Sequence, residues 1–288
     1  MEKPPDAEVS IDEMPEQILL TILTPKFSSV APILYRSGHF RSARLRRYFN
    51  TPLLAGLNRL LERLDLAAEA YEMDDRLRPA AQLVRRARSD FEAAIVSSFS
   101  ALSFVCRDQM RDVMEIEYLL RDFRYDLARL DQWAAADEKD EKNLFPSRVL
   151  REREAKRRGL DDPKHLIDSL DYSLHSSSIH VTKRSHRSVE RGVETDRGPA
   201  GVFHGDEDMW EMFIHAGRLL EQTAGLYEAA GLSAPEAPND DAFNVAWRLC
   251  EKTQRESIEA IEKAVKARSE AAAKDVGSDP GRGVEPNP

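Results

Sequence analysis

At 288 residues, with 41% apolar and 32% charged positions, the chain has the make-up of a globular protein with enough length for one or two buried cores. Aromatic residues are only 7% of it, which favours helices over a sandwich or barrel, whose strands lean on aromatic and β-branched side chains. A formal net charge of −9 excludes a protein that coats nucleic acid indiscriminately, although the charge is unevenly arranged along the chain.

Residues 1–15 carry Pro, Asp and Glu with little to bury and are expected to be disordered. The acidic, polar start lacks the basic-then-apolar order of a secretory signal. No run of about 18 apolar residues follows anywhere, so the expectation is a cytoplasmic protein with no membrane partner. Between Lys26 and Arg59 there is no Asp or Glu. That window holds Arg36, Arg41, Arg44, Arg46, Arg47 and His39, interleaved with Tyr35, Phe40, Tyr48 and Phe49. Arginine neutralises phosphate and aromatic faces stack on bases, so Arg41, Arg44, Arg46 and Arg47 are candidates for binding RNA or DNA. The alternative is a solvated helix face whose aromatics pack inward.

From residue 53 the apolar period is helical. Leu53, Leu57, Leu60, Leu64, Ala68 and Tyr71 keep a three-four spacing, with Pro52 suited to the first turn. Pro79 then opens the strongest helical signal, expected to run from about Ala80 to Asp126 as one long central helix. Its main stripe is Val84, Phe91, Ile95, Phe99, Leu102, Cys106, Val113, Ile116, Leu120 and Phe123. Phe104, Met114, Tyr118 and Leu119 make a second apolar side, and between them Arg111 and Glu115 lie four apart on one face. A charged pair on such a face must be paired or used.

A shorter helix carrying Leu127, Leu130 and Trp133 follows, then a polar connection, ADEKDEKN. The basic segment PSRVLREREAKRRG reads as a helix with Ser147 to cap it and Gly159 to end it. Asp162 and Pro163 open another helix, with Ile167, Leu170 and Leu174 on its buried side. The stretch LDYSLHSSSIHVTKRSH then delivers His175, His180, Arg184 and Arg187 into a loop spanning residues 176–206. Histidine spacings of five and six do not converge on one helical side, so no metal site is expected. Arg184 and Arg187 join the nucleic-acid candidates.

Two further helices are expected. One carries Trp210, Phe213, Leu220, Ala224 and Tyr227 and ends at Gly231; the other carries Phe243, Trp247, Cys250, Ile258, Ile261 and Val265. Cys106 and Cys250 both sit on apolar faces and read as reduced core thiols. The whole reads as an all-α bundle of about seven helices over residues 16–275, with a disordered tail at 276–288.

No phosphate loop, dinucleotide fingerprint or nucleophile elbow is present, and no cofactor is expected. The remaining catalytic candidates are Arg111 and Glu115, perched on one helix face, with His175 or His180 brought to them by the later loop. There, Arg111 would steady negative charge on a phosphate or carboxylate and a histidine would move a proton. A helix bearing Arg-x3-Glu (Arg111, Glu115), with the turn SSSIH (176–180) downstream, resembles uncharacterised all-helical bacterial families and, more loosely, HEPN-type helical domains. That resemblance implies a helical nucleotide-binding module or metal-independent ribonuclease of bacterial defence or toxin–antitoxin systems. The HEPN motif is Arg-x4-6-His on a helix; here Arg197 and His204 have that spacing across the loop sequence GPAGVF. The alternative of a different class is an interaction module that buries an apolar helix face in a homodimer or a partner helix.

Overall fold

The computed structural model describes residues 31–100, 102–162, 172, 207–233, 242–253 and 255–256. Among the described residues the fold is an all-α bundle with no strand. Its helices are α1 (Ala31–Tyr48), α2 (Pro52–Glu72), α3 (Arg78–Phe99), α4 (Ser103–Tyr125), α5 (Ala128–Ala134), α6 (Glu138–Leu144), α7 (Ser147–Arg157) and α8 (Glu207–Ala229). Residues 242–253 are also helical.

The three-four stripe of α2 is its buried face: Leu53, Leu57, Leu60, Leu64, Ala68 and Tyr71 all point into the core, and Pro52 occupies the first turn. Each such leucine contributes roughly 1.5–3 kcal/mol by leaving water. α3 returns antiparallel to α2, and α4 antiparallel to α3. α8 then packs along α4 and touches α2 and α3, closing a four-helix core. Tyr71, near the end of α2, donates its phenol hydrogen to the Thr223 carbonyl of α8 at 2.7 Å, and its ring stacks on Tyr227 at 5.2 Å. Near the start of α2, Gly56 faces Phe213 and Ala246, and a Cβ there would lie 2.5 Å from that of Ala246. These contacts join like ends, so α8 runs parallel to α2.

The long helix expected over residues 80–126 is two. It breaks at residues 100–102, where Leu102 N donates to the Ser97 carbonyl at 2.8 Å. Ser97, Ser98 and Ser100 cluster at the break, and serine hydroxyls offer the backbone alternatives to the helical ladder. An unbroken helix of that length would reach about 70 Å, far beyond the core that the other helices can cover. Folding back lets both halves bury their stripes against each other. The apolar stripe continues in register across the turn, which is why periodicity alone misses it.

The polar connection ADEKDEKN contains α6: Asp137 caps it by accepting from Asp140 N at 2.8 Å, and Glu138 pairs with Lys142 at 2.6 Å. Pro146, and not Ser147, is the residue before the first turn of α7, where Ser147 makes no side-chain cap. Gly159 and Gly231 do end their helices, at φ +70° and +74°, the left-handed conformation glycine adopts without strain. Cys106 and Cys250 are buried free thiols, and burial pushes the Cys106 thiol well above its ordinary range. The expected helix from Asp162 and the loop 176–206 lie outside the described residues, apart from Tyr172, which is helical.

Candidate functional site

The central helix α4 presents a second face away from the four-helix core, and α7 packs on it. The joint is ionic. Asp122 is 2% exposed and accepts from Arg153 at 2.6 Å and from Arg157. Arg157 also reaches Glu154 at 3.0 Å, and Arg158 reaches the same carboxylate at 2.6 Å. The second Nη of Arg153 donates to the Leu144 carbonyl at 2.6 Å, tying α7 to the end of α6. Buried carboxylates persist only when paired in this way. Arg153 and Arg157 of the basic segment therefore tie α7 to α4, while the more exposed Arg158 pairs within its own helix.

α7 so fixed forms one wall of a cleft of about 470 Å³, within the range of small-ligand sites. α4 supplies Arg111, Glu115 and Leu119 to it, spaced four apart along one stripe. α5 supplies Trp133, the α6–α7 turn Phe145 and Pro146, and α7 Arg148, Leu150 and Arg151. Glu141 of α6, Ser147 at the start of α7 and Tyr172 complete it, so two carboxylates, Glu115 and Glu141, line the cleft with the three arginines.

At the polar end, the Tyr172 hydroxyl donates to Glu115 Oε1 at 2.8 Å. Arg111 Nη2 donates toward the same hydroxyl at 3.3 Å and lies 3.4 Å from Glu115 Oε1. Partial burial of Arg111 opposes its charge. The Tyr172 hydrogen bond, with the electrostatic influence of Tyr172, Glu115 and Asp112, outweighs burial and raises its pKa. Arg151 lies at this same end, its guanidinium carbon 4.4 Å from the centre of the Tyr172 ring and that of Arg111 5.5 Å from it. Among the described residues, Arg151 has no carboxylate within salt-bridge distance; its Nε donates to the Ser147 carbonyl at 3.1 Å.

The sequence-expected residues divide unequally. Arg111 and Glu115 do share a cleft. Tyr118, also on that helix, is buried beside it, 6.1 Å from the Tyr172 ring. His175 and His180 lie outside the described residues, as do Arg184 and Arg187. From the histidine-rich stretch it is Tyr172 that is seen to reach Arg111 and Glu115. Arg44, offered as a phosphate contact, is buried at the base of the bundle. It donates to Asp208 at 2.5 Å and to the hydroxyl and carbonyl of Ser98 at 2.8 and 2.9 Å, joining α1, α3 and α8. Burial of the guanidinium with a carboxylate makes it a structural tie. Arg46 and Arg47 are exposed at the end of α1, and exposed Arg41 reaches Ser100 Oγ at 3.4 Å.

Tyr172, Arg151 and Trp133 were not singled out from sequence. The signals that could have found them are weak: a tyrosine three residues before His175, and an arginine one turn into a basic helix. Among the described residues no cluster of His, Cys, Asp and Glu is arranged to hold a metal ion, and no helix is long and apolar enough to cross a membrane. No known family model, curated protein or solved structure matches the chain.

Proposed function

We propose that this chain is a binding protein for a phosphate-bearing ligand, nucleic acid foremost, and that the α4–α7 cleft is where the ligand sits. The observation that carries the reading is Arg151. It stands in a ligand-sized cleft beside Arg111 and Arg148, without a carboxylate of its own among the described residues, while its neighbours Arg153, Arg157 and Arg158 are consumed by internal pairs. A planar guanidinium left at the mouth of a cleft is suited to bidentate capture of phosphate oxygens. The exposed Arg41, Arg46 and Arg47 offer a second, surface contact for a strand.

Binding of a labelled single-stranded oligonucleotide, RNA or DNA, measured from low to moderate salt, tests it. The affinity should fall steeply with salt, and Arg151→Ala should weaken binding at least tenfold at fixed low salt. Absence of binding at low salt, or an affinity indifferent to Arg151→Ala, removes the reading.

A second reading, a metal-independent ribonuclease, is favoured by the Tyr172 hydroxyl lying between a carboxylate acceptor and a guanidinium donor. Such a hydroxyl can pass a proton while Arg111 steadies a phosphate's charge. Incubating the bound RNA with chelator present should then give fragments that Glu115→Gln abolishes. Intact RNA leaves the binding function alone.

A further inference from the structure

We infer that the cleft takes one nucleotide unit lengthwise, its phosphate at the Arg111, Arg151 and Tyr172 end and its base against Trp133. This rests on the phosphate-binding reading above and adds to it a direction and a second recognition element. Arg111, Glu115 and Leu119 mark successive turns of one stripe on α4, so the helix rises about 12 Å from position 111 to position 119 along the floor. The chemistry changes along that floor. One end holds Arg111, Arg151 and the hydrogen-bonded Tyr172 and Glu115; the other is formed by Leu119, Trp133 and Phe145, with Glu141 one helical turn before Phe145.

The apolar end is held in place from behind. Trp133 packs its ring 5.9 Å from Phe123, which packs 6.4 Å from Phe145, and both phenylalanines are buried. Trp133 itself is only partly buried, so an aromatic face is fixed at the cleft without being covered. A ligand that is only a phosphate would leave this end wet. One that is only apolar would strip water from Arg111 and Arg151 and return nothing. A phosphate joined through a sugar to a flat base satisfies both ends, and stacking on tryptophan accepts any base. A base inside a duplex has no face to offer, so the unit is single-stranded or free.

The same chemistry has two sources, a free mononucleotide and a nucleotide within a strand. Calorimetric titration of the full chain with ribose 5-phosphate, adenosine 5′-monophosphate and a short single-stranded oligonucleotide separates them. Adenosine 5′-monophosphate should bind about tenfold more tightly than ribose 5-phosphate. Trp133→Ala should erase that preference and leave the ribose 5-phosphate affinity unchanged, while Trp133→Phe keeps most of the preference. Arg151→Ala should weaken every ligand.

An oligonucleotide that binds more tightly than the mononucleotide, and loses about tenfold in Trp133→Ala, assigns the site to a strand. Equal affinities assign it to the free nucleotide. Should free nucleotides bind too weakly to measure, the oligonucleotide comparison between wild type and Trp133→Ala decides. A preference that survives Trp133→Ala, or equal affinity for sugar phosphate and nucleotide, overturns the inference. If Arg151→Ala still weakens binding in that case, the phosphate site stands and only its base end falls. Melting curves of Trp133→Phe and Trp133→Ala confirm that each variant is folded.

Discussion

The two sides of α4 are held by different physics. Toward α3 and α8 the helix buries Cys106, Met110, Val113, Met114 and Leu120, which share one hydrophobic core with Phe91, Phe213 and Leu219. Toward α7 the same helix offers Asp122 to Arg153 and Arg157, and leaves Arg111 and Glu115 at an open cleft. The first side is non-directional and tolerates small shifts; the second needs particular donors at particular acceptors. Stability is therefore expected to reside on the core side and binding geometry on the ionic side. An ionic joint also suits a wall that has to carry arginines into a cleft, because an apolar α7 would have nothing to present there.

Paired truncations put the sharpest strain on this comparison. Phe91→Ala removes a fully buried ring and should lower unfolding free energy by about 3–5 kcal/mol in urea titration. The folded fraction should bind an oligonucleotide as wild type does. Asp122→Ala leaves two guanidinium groups without their buried acceptor and should cost about 3 kcal/mol, toward the low end for broken buried pairs. The reason for the low end is that Arg153 and Arg157 keep 20% and 26% of their side chains exposed and can partly rehydrate. Unlike the core variant, it should also weaken oligonucleotide binding, since α7 carries Arg148, Leu150 and Arg151. Wild-type affinity in Asp122→Ala would show that the ionic joint does not set the cleft.

This contrast also explains what was legible in the sequence. The stripes of α2, α3, α4 and α8 are visible because burial imposes a period of 3.6 on residue type, and Leu60, Phe91 and Phe213 follow it. The turn at residues 100–102 is invisible to that period because the stripe resumes in phase beyond it. α6 is missed for the opposite reason: it buries none of its residues and stands on its cap and one i,i+4 pair. Among charges, sequence spacing finds only pairs on one helix. Arg111 and Glu115 were found that way. Asp122 with Arg153 is 31 residues apart and Arg44 with Asp208 is 164, so their inward turn depends on tertiary packing that no local rule contains. Tyr172, 57 residues from Glu115, belongs with them.

The smallest expected effect tests whether the core side is as free of directional chemistry as the comparison holds. Tyr71 is one of its directional groups, beside the buried Arg44–Asp208 and Arg121–Glu117 pairs: a phenol buried at the α2–α8 contact, its hydrogen committed to the Thr223 carbonyl. Burial, with a contribution from neighbouring Tyr227, pushes its pKa well above the ordinary tyrosine value. The folded state thus holds the proton more tightly than the unfolded chain, in which the group titrates near pH 10. The stability linked to that proton is complete below about pH 10 and declines as pH rises above it, because the unfolded state there binds fewer protons than the native state. Tyr71→Phe removes the hydrogen bond and the titration together. It should cost about 1 kcal/mol at neutral pH and flatten the alkaline fall in stability, read by urea titrations from pH 7 to 11. An alkaline fall unchanged in Tyr71→Phe would place the titrating group elsewhere and leave the α2–α8 contact a matter of packing alone.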